Sequence, residues 1–270
     1  MSLNYFMKKI GLNTARNCLR YIIRAYKISE IFMPYYICPT VKSTVRKENI
    51  NIKFYHIDKN FMPVCDFNEN DFILYPNYFG ICSKNVEFLE KKYKNLIIDN
   101  AHSFYSRPHG LASFNSLRKF LQPNYGIKNG AYLYINKILN TNFETADNYK
   151  LTEYNFENIV KNENQLDEED IKLISETTET LLNKIDFNKE KFSRLSNFYK
   201  YHEIYSKQNE LQINLKEDET PFVYPLLTKD DSTVYELEKQ GLMIFRYWNG
   251  IPKHFAEYEF CKHLIPIPLY

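Results

Sequence analysis

The sequence predicts an α/β fold with a mostly parallel sheet in its first half and a smaller α+β unit in its second half. Three observations support this prediction. Short apolar runs alternate with helix patterns up to about residue 145, one strand-helix-strand unit can be recognised, and the chain becomes polar, Asn-rich and acidic from about residue 140. With 270 residues, the chain is long enough for one large or two modest domains with a buried core.

The first predicted helix covers residues 14–27, where Thr14 is a suitable N-cap and four apolar side chains follow at helical spacing. Those side chains are Leu19, Ile22, Ile23 and Tyr26. Five further apolar runs have the length of strands that are buried inside a sheet. They cover residues 31–33, 52–57, 72–75, 96–98 and 132–135.

A strand-helix-strand unit is built around the third and fourth of these runs. The segment SKNVEFLEKKYK between them has a helix pattern, with Ser83 as the expected cap and Val86, Leu89 and Tyr93 facing inward. A helix between two neighbouring strands is typical of a parallel crossover. The unit therefore predicts that the sheet is mostly parallel.

The change in composition divides the chain into three predicted parts. Residues 1–145 form a large domain, residues 146–165 a linker or crossing segment, and residues 166–270 a small C-terminal α+β domain. In the last part, PFVYPLL and GLMIF are predicted strands. A helix is predicted over residues 171–185 from the spacing of its apolar positions, namely Ile171, Ile174, Thr178, Leu181 and Ile185.

Composition and charge argue against several classes of protein. The net charge is only +2, from 35 basic and 33 acidic residues, which gives little support to nucleic-acid binding. No run approaches the roughly 20 apolar residues of a membrane span, and the N-terminus lacks the apolar core of a signal peptide. The five cysteines are scattered without a C-x-x-C pair, so neither disulfides nor a metal site is expected. The predicted compartment is the cytoplasm.

Glycine is scarce, with only 7 in the chain, so each remaining glycine is informative. Gly80, Gly110, Gly126 and Gly130 are predicted to lie where the backbone needs a conformation that other residues avoid.

The candidate chemistry begins with Asp99, which directly follows an apolar strand. Parallel sheets bind ligands at the carboxyl ends of their strands. About 20 residues later, ASFNSLRKF places Ser116 three residues before Lys119. This spacing permits two chemistries.

In the first chemistry, Ser116 is an acylated nucleophile that Lys119 activates, as in penicillin-recognising enzymes. Such enzymes also need S-x-N and K-[TS]-G segments. The chain has Ser83-Lys84-Asn85 but no K-[TS]-G, and Asp99 would have no task. In the second, Lys119 forms a Schiff base with pyridoxal phosphate, Ser116 binds the phosphate, and Asp99 keeps the pyridine nitrogen protonated. This reading uses all three residues.

The segment IIDNAHSFYSRPHGLASFNSLRK resembles the DegT/StrS-type sugar aminotransferases, which are fold-type-I pyridoxal phosphate enzymes. The resemblance extends from Asn13 to about Tyr270 and implies the fold-type-I architecture. It also implies that Lys119 is the Schiff-base lysine, that Asp99 is the partner of the pyridine nitrogen, and that His102 contacts the cofactor ring. The resemblance also implies that either Ser113 or Ser116 binds the phosphate. Both are candidates because the gap between serine and lysine fits the family only with a shift of one residue.

Two further segments are similar to parts of this family's site. Thr14, Ala15 and Arg16 resemble a Ser/Thr-Gly-Thr turn at a helix start, whose N–H groups bind the phosphate. Arg246, Tyr247 and Trp248 follow a predicted strand, where the family has residues that face the substrate. The first segment is also compatible with an ordinary capped helix, and the second with an exposed aromatic turn.

The sequence also departs from the family pattern. Cys38 lies near the position of an aromatic residue that often stacks on the cofactor, for which Tyr36 is a possible substitute. The Asn-Tyr-Arg segment that reaches the partner's phosphate is not recognisable after residue 140. The chain ends at HLIPIPLY, which resembles the strand before the family's final helix.

The resemblance implies a homodimer that moves an amino group, expected to come from glutamate, to a nucleotide-linked keto sugar for surface glycan biosynthesis. Two alternatives remain open. One is a catalytically degenerate protein that acts as a binding or partner subunit. The other is a pyridoxal phosphate-dependent sugar dehydratase or decarboxylase. The presence of Lys119 favours transamination, because related dehydratases carry a histidine in its place.

Overall fold

The computed structural model describes residues 7–147 and 159–270, and its main feature is a seven-stranded sheet. The strands follow the order β1-β7-β6-β5-β4-β2-β3, and of these seven only β7 runs against the others. The predicted mostly parallel sheet is confirmed. Its strands are β1 (Lys8–Leu12), β2 (Glu30–Pro34), β3 (Asn51–Tyr55), β4 (Ile73–Pro76), β5 (Leu96–Asn100), β6 (Ala112–Asn115) and β7 (Ala131–Ile135).

Four helices belong to the first half of the chain: α1 (Ala15–Tyr26), α2 (Pro39–Lys47), α3 (Ser83–Lys92) and α4 (Leu117–Tyr125). The predicted cap of α1 is confirmed, because Thr14 Oγ1 accepts a hydrogen bond from the Asn17 N–H at 3.1 Å. Ser83 is the first residue of α3 and Cys82 precedes it, so that predicted cap is wrong by one position. Pro39 at the start of α2 fits a first-turn position, where no backbone N–H is needed.

The second half contains five helices and a two-stranded antiparallel sheet in the described residues. The helices are α5 (Ile159–Glu168), α6 (Glu176–Leu182), α7 (Phe187–Tyr205), α8 (Ser232–Lys239) and α9 (Tyr258–His263). The strands are β8 (Val223–Leu227) and β9 (Leu264–Pro268). Residues 148–158, within the predicted 146–165 crossing segment, lie outside the described residues. No helix in the described ranges has the length and apolar composition to cross a membrane.

The predicted strand-helix-strand unit is confirmed in β4, α3 and β5. The two strands pair in parallel from Ile73 opposite Leu96 to Pro76 opposite Asp99. Successive side chains of a strand point to opposite faces, so Ile98 packs on the face covered by α3 while Ile97 packs on the face covered by α1. The alternation ends at Asp99, at the carboxyl edge of the sheet.

The second half of the chain shares a core with the sheet. Val223 of β8, Phe260 of α9 and Leu264 of β9 are buried in the same cluster as Tyr75 and Ile98. A separate cluster joins α4 to residues around α6. The C-terminal region is thus packed directly against the sheet.

The helix predicted over residues 171–185 is confirmed only for Glu176–Leu182, which form α6. Before α6, the Asn13 N–H instead donates to the Lys172 carbonyl, and the Ile174 N–H donates to the Gly11 carbonyl. Leu173 pairs through its backbone with the chain around Thr145. The helix begins only at α6, where Ser175 Oγ accepts from the Thr178 N–H. Tertiary strand pairing therefore outweighs the helical spacing.

The strand predicted for GLMIF is also wrong, although PFVYPLL does form β8. The alternation of GLMIF has another cause: Leu242 and Ile244 pack against the core beside β8, while Met243 and Phe245 line a cavity. The backbone of this segment forms no strand, and β8 pairs with β9. Strands β1 and β6 were not predicted from apolar runs.

Candidate active site

A cavity of about 410 Å³ opens at the carboxyl edge of the sheet. Its wall combines the ends of β4 and β5 with the first turns of α1, α2 and α4, and residues 243–248 of the second half close another side. Ten of the eleven residues predicted to form the site line this cavity. The exception is Ser113, which lies on β6 and is fully buried.

Lys119 and His102 meet inside the cavity. Lys119 is in the first turn of α4, and its Nζ lies 2.9 Å from His102 Nε2. Burial, together with the charge of Lys119, holds the pKa of His102 well below its usual value of 6.5. The neutral ring can therefore accept a hydrogen bond from the Lys119 amine, which fixes the position of the amine.

Aromatic rings hold His102 from several sides. Phe222 stacks on it at a centroid distance of 4.9 Å, and Trp248 stacks at 5.5 Å with an interplanar angle of 15°. Phe79 and Tyr247 are also within 6 Å. Histidine 102 is only 6% exposed, so its ring has one defined position in the cavity wall.

Asp99 supplies a buried carboxylate next to these groups. It is 8% exposed and lies near the carboxyl end of β5. Its Oδ1 accepts a hydrogen bond from the Ala101 N–H at 2.8 Å, which fixes the orientation of the carboxylate. Burial raises the pKa of Asp99, whereas the charge of Lys119 and the Ala101 N–H lower it.

The pKa of Lys119 is lowered from its usual value of 10.5 because its amine is buried. The negative charges that Cys38 and Asp99 can carry oppose this shift, and the charge of Arg118 adds to it. A lysine with a lowered pKa has a larger neutral fraction near neutral pH, and the neutral amine is the nucleophilic form.

The start of α1 forms another part of the wall. Thr14, Ala15 and Arg16 all line the cavity, and the first N–H groups of a helix have no intrahelical acceptor. Ser116, which precedes α4, is also at the wall. Of the two serines considered, Ser116 is therefore the one that faces the cavity.

The three predicted residues of the second half have different roles in the wall. Tyr247 and Trp248 contact the His102 ring. Arg246 is held by Asp231 at 2.5 Å and also donates to the Lys262 carbonyl. Tyr36, considered as a stacking aromatic, does not line the cavity and packs its ring against Trp248 at 4.7 Å.

Sequence reasoning missed three residues of this wall. Phe222 belongs to the PFVYPLL pattern and was predicted only as part of a strand. Arg118 and Glu163 line the cavity and form an ion pair of 2.6 Å, although they are 45 residues apart in sequence. The RK pair at residues 118–119 gave a signal for Arg118, whereas the polar segment around Glu163 gave none.

The sequence matches no family model and no curated protein, but its structure is similar to solved structures. One is a DegT DnrJ EryC1 StrS aminotransferase from Brucella abortus, with a TM-score of 0.63, 10% identity, and coverage of 97% of this chain and 80% of that one. Another is Helicobacter pylori PseC, an aminotransferase involved in the biosynthesis of pseudoaminic acid, with a TM-score of 0.62, 16% identity, and coverage of 96% and 81%.

A third is Spr1654 from Streptococcus pneumoniae in its PMP form, with a TM-score of 0.64, 14% identity, and coverage of 97% and 81%. The PLP form of the same protein is also similar to this chain. At these identities the likeness establishes the fold. The chain has the fold-type-I architecture of the DegT/StrS-type sugar aminotransferases, as its sequence predicts.

Proposed function

We propose that this chain is a pyridoxal 5′-phosphate-dependent aminotransferase that acts on a nucleotide-linked keto sugar. One observation carries the proposal: Lys119, His102 and Asp99, which come from different elements, meet in one cavity at the carboxyl edge of a fold-type-I sheet. The structural neighbours described as aminotransferases support the reaction class. The forms of Spr1654 that carry PLP and PMP support the cofactor.

The donor set of the cavity fits this cofactor group by group. Lys119 offers an amine for a Schiff base, and Asp99 offers a buried carboxylate for the pyridine nitrogen. The first turn of α1, with Thr14, Ala15 and Arg16, offers N–H groups and a positive dipole for the phosphate, and Ser116 adds a hydroxyl. The aromatic rings of Phe222 and Trp248, which stack on His102, make this part of the wall suitable for packing against a planar heterocycle.

When bound, pyridoxal phosphate supplies a ring that accepts electrons. Lys119 is the residue that takes and returns a proton, because its lowered pKa increases the fraction of its amine that is neutral. His102 accepts a hydrogen bond at Nε2 and keeps Nζ in place. Asp99 is the carboxylate that would hold a proton on the pyridine nitrogen, and the Ala101 N–H sets its orientation.

The substrate assignment rests on the cavity wall and on the structural neighbours. Tyr247 and Trp248 offer aromatic faces, and Arg246 offers a guanidinium, for a nucleotide-linked sugar. PseC is described as acting in pseudoaminic acid biosynthesis, which places one neighbour in the synthesis of a sugar. We propose the same class for this chain, with glutamate as amino donor and a surface glycan as the final product.

Two broader features belong to the same proposal. The chain is proposed to act as a homodimer, since two-fold pairs are the commonest oligomers, and sedimentation at micromolar concentration measures this. The five cysteines are free, which suits a reducing compartment, so we place the reaction in the cytoplasm. Fractionation of cells that express the protein tests this location.

The experiment that tests the function uses purified protein with pyridoxal phosphate. We expect a near-visible absorbance band that borohydride removes, with the cofactor then attached to the tryptic peptide that contains Lys119. The Lys119→Ala variant should give no attached cofactor, whereas Lys128→Ala, which changes an exposed neighbour, should behave like the wild type. In a separate sample that has not been reduced, addition of L-glutamate should convert bound cofactor to the pyridoxamine form.

Two results would contradict the proposal. Attachment to a lysine other than Lys119 would refute the assigned residue. If the cofactor binds at Lys119 but glutamate and other amino donors leave the spectrum unchanged, the binding-subunit hypothesis replaces the aminotransferase.

A further inference from the structure

Two arginines of the cavity wall share one carboxylate. Arg16, in the first turn of α1, and Arg118, in the first turn of α4, both contact Glu163 of α5. Arg118 Nη2 lies 2.6 Å from Glu163 Oε1, and Arg16 Nη2 donates to the other oxygen, Oε2. Each guanidinium therefore donates to its own carboxylate oxygen.

These three side chains are largely shielded from solvent. Arg16 is 11% exposed, Arg118 is 13% exposed and Glu163 is 22% exposed. The pKa of Glu163 is lowered despite burial, which alone would raise it, because Arg118 and Arg16 stabilise its charge. Glu163 is therefore ionised near neutral pH.

Helix α5 is held over this site by a second acidic side chain. Asp167, one turn after Glu163, lies 3.5 Å from Arg16 Nε and 2.8 Å from Lys47 Nζ. Two carboxylates thus contact three cations at this part of the wall. The N-terminus of α1 beside them adds a positive dipole, which favours an anion.

The arginine pair also lies where it can reach a bound molecule. Both arginines and Glu163 line the same cavity as Lys119, and Arg118 precedes Lys119 directly in α4. Glu163, which belongs to α5, therefore supplies the negative charge beside these two arginines.

We propose that Arg16 and Arg118 form an oxyanion subsite of the cavity, and that Glu163 is its resident carboxylate, which an incoming phosphoryl or carboxylate group displaces. The proposal rests on the proposed function for the identity of the incoming group, although the subsite itself depends only on the three side chains. It makes Glu163 a built-in competitor of the ligand and Arg118 a ligand-binding residue.

The chemistry of the exchange favours a phosphate. A phosphate monoester carries about −1.5 to −2 charges near neutral pH and has three acceptor oxygens. It can therefore accept from both guanidiniums, which suit such anions geometrically. Glu163 brings one charge, but its tether to α5 gives it a high local concentration. Replacing Glu163 by glutamine removes the charge that competes for the arginines while keeping the shape.

The test is isothermal titration calorimetry with inorganic phosphate, which needs neither cofactor nor catalysis. We expect Glu163→Gln to bind phosphate on the order of tenfold more tightly than the wild type, equivalent to about 1.4 kcal/mol. Glu168→Gln, which removes an exposed carboxylate from the same helix, should leave the affinity unchanged. Adding Arg118→Gln to Glu163→Gln should abolish the gain.

Two further titrations identify the source of the oxyanion. If the subsite holds the cofactor phosphate, Glu163→Gln should also strengthen binding of pyridoxal phosphate but not of pyridoxal. If it holds a substrate carboxylate, the variant should strengthen binding of glutarate instead. Either pattern supports the subsite.

Equal phosphate affinities in the wild type and Glu163→Gln, with no gain for glutarate, would overturn the proposal. Circular dichroism checks that each variant is folded. If Glu163→Gln does not fold, Glu163→Asp provides the test, because the shorter side chain keeps its charge but cannot span both arginines, and phosphate should again bind more tightly. Loss of cofactor binding together with retained phosphate exchange would refute the proposed function and leave the subsite intact.

Discussion

At the scale of single residues, the central feature is the Lys119 amine, whose pKa depends on two opposing effects. These effects are burial and nearby negative charge. Burial lowers the pKa of Lys119, while Cys38 and Asp99 limit the shift. His102 adds a hydrogen-bond acceptor without adding charge, because its own pKa is held well below 6.5. Cys38, Asp99 and His102 thus all act on one amine.

The first prediction concerns the charge of Asp99. Asp99→Asn removes a negative charge that raises the pKa of Lys119, so the midpoint of the lysine titration should move further below 10.5. Measurement uses NMR of protein with ¹³C at the lysine ε position, with Lys119→Ala identifying the signal. Glu168→Asn is the control, since it removes an exposed carboxylate outside the cavity wall.

The sign of the linked stability effect follows from the direction of this shift. The native pKa of Lys119 lies below the unfolded value of 10.5, so between the two the unfolded chain binds more protons. Stability should therefore rise with pH through this interval, and the cost of burying the ammonium is lost above 10.5. A midpoint at or above 10.5, or an upward shift in Asp99→Asn, would contradict this account.

At the scale of elements, the turn between β4 and α3 positions the site from behind. Phe79 and Gly80 in this turn both have positive φ, at 56° and 78°. The Phe79 carbonyl accepts from the Phe222 N–H at 2.9 Å, so the turn also fixes the ring that stacks on His102. This turn therefore packs the Phe79 ring beside His102 and also holds Phe222, whose ring stacks on His102.

The second prediction is that Gly80→Ala damages the fold and the site. A Cβ at this position would lie 2.4 Å from the His102 carbonyl oxygen. The left-handed backbone costs about 1–2 kcal/mol for a non-glycine residue, and overpacking adds about 1–3 kcal/mol. Gly241→Ala is a matched control, because its φ of +83° is similar but no atom lies within 4 Å of its Cβ.

Chemical denaturation measures both variants. The control should lose only the backbone cost, and Gly80→Ala should lose more and should also weaken cofactor binding. Equal losses in the two variants would show that the approach to His102 has no energetic consequence.

At the scale of the whole molecule, the two halves of the chain form one packed unit around the cavity. Residues of β8, β9 and α9 are buried in the same cluster as the sheet. The buried Glu257 accepts from the Ile57 N–H at 2.9 Å and contacts His56, which joins the start of α9 to the end of β3. The cavity needs both halves, since residues 243–248 close one side.

The third prediction is that both halves unfold together. Trp248 is the single tryptophan of the chain, and it contacts Tyr36, Tyr78 and His102 of the first half. Its fluorescence therefore reports the junction, whereas far-ultraviolet circular dichroism reports all helices and strands. The two signals should change at the same denaturant concentration. A fluorescence transition at lower denaturant would mean that the C-terminal region separates first.

The sequence alone determined the mostly parallel sheet and pointed to candidate residues for the site. Short apolar runs produce β4 and β5, and the polar residue Asp99 that ends the second run lies near the carboxyl end of β5. The resemblance around Asp99, His102 and Lys119 then selected residues that do line one cavity. Gly80, Gly110, Gly126 and Gly130, predicted from their scarcity, all have positive φ.

Only the tertiary structure decided features that depend on partners distant in sequence. Strand β6 has little apolar signal, because its Ser113 and Asn115 are buried by neighbouring strands, and Asn115 accepts from the Tyr132 N–H. Residues 172–174 lie in a segment with helical spacing, but Lys172 and Ile174 pair with the chain around Gly11. The GLMIF run alternates because one side meets the core and the other meets the cavity.

The same reason explains why the contact of Glu163 with Arg16 and Arg118 was invisible in the sequence. Periodicity reports which face of an element is buried, but it does not report what covers that face. An ion pair between residues 147 or 45 positions apart leaves no local pattern. Its formation depends on how the helices pack, because packing alone brings these charges within hydrogen-bonding distance and shields them from water.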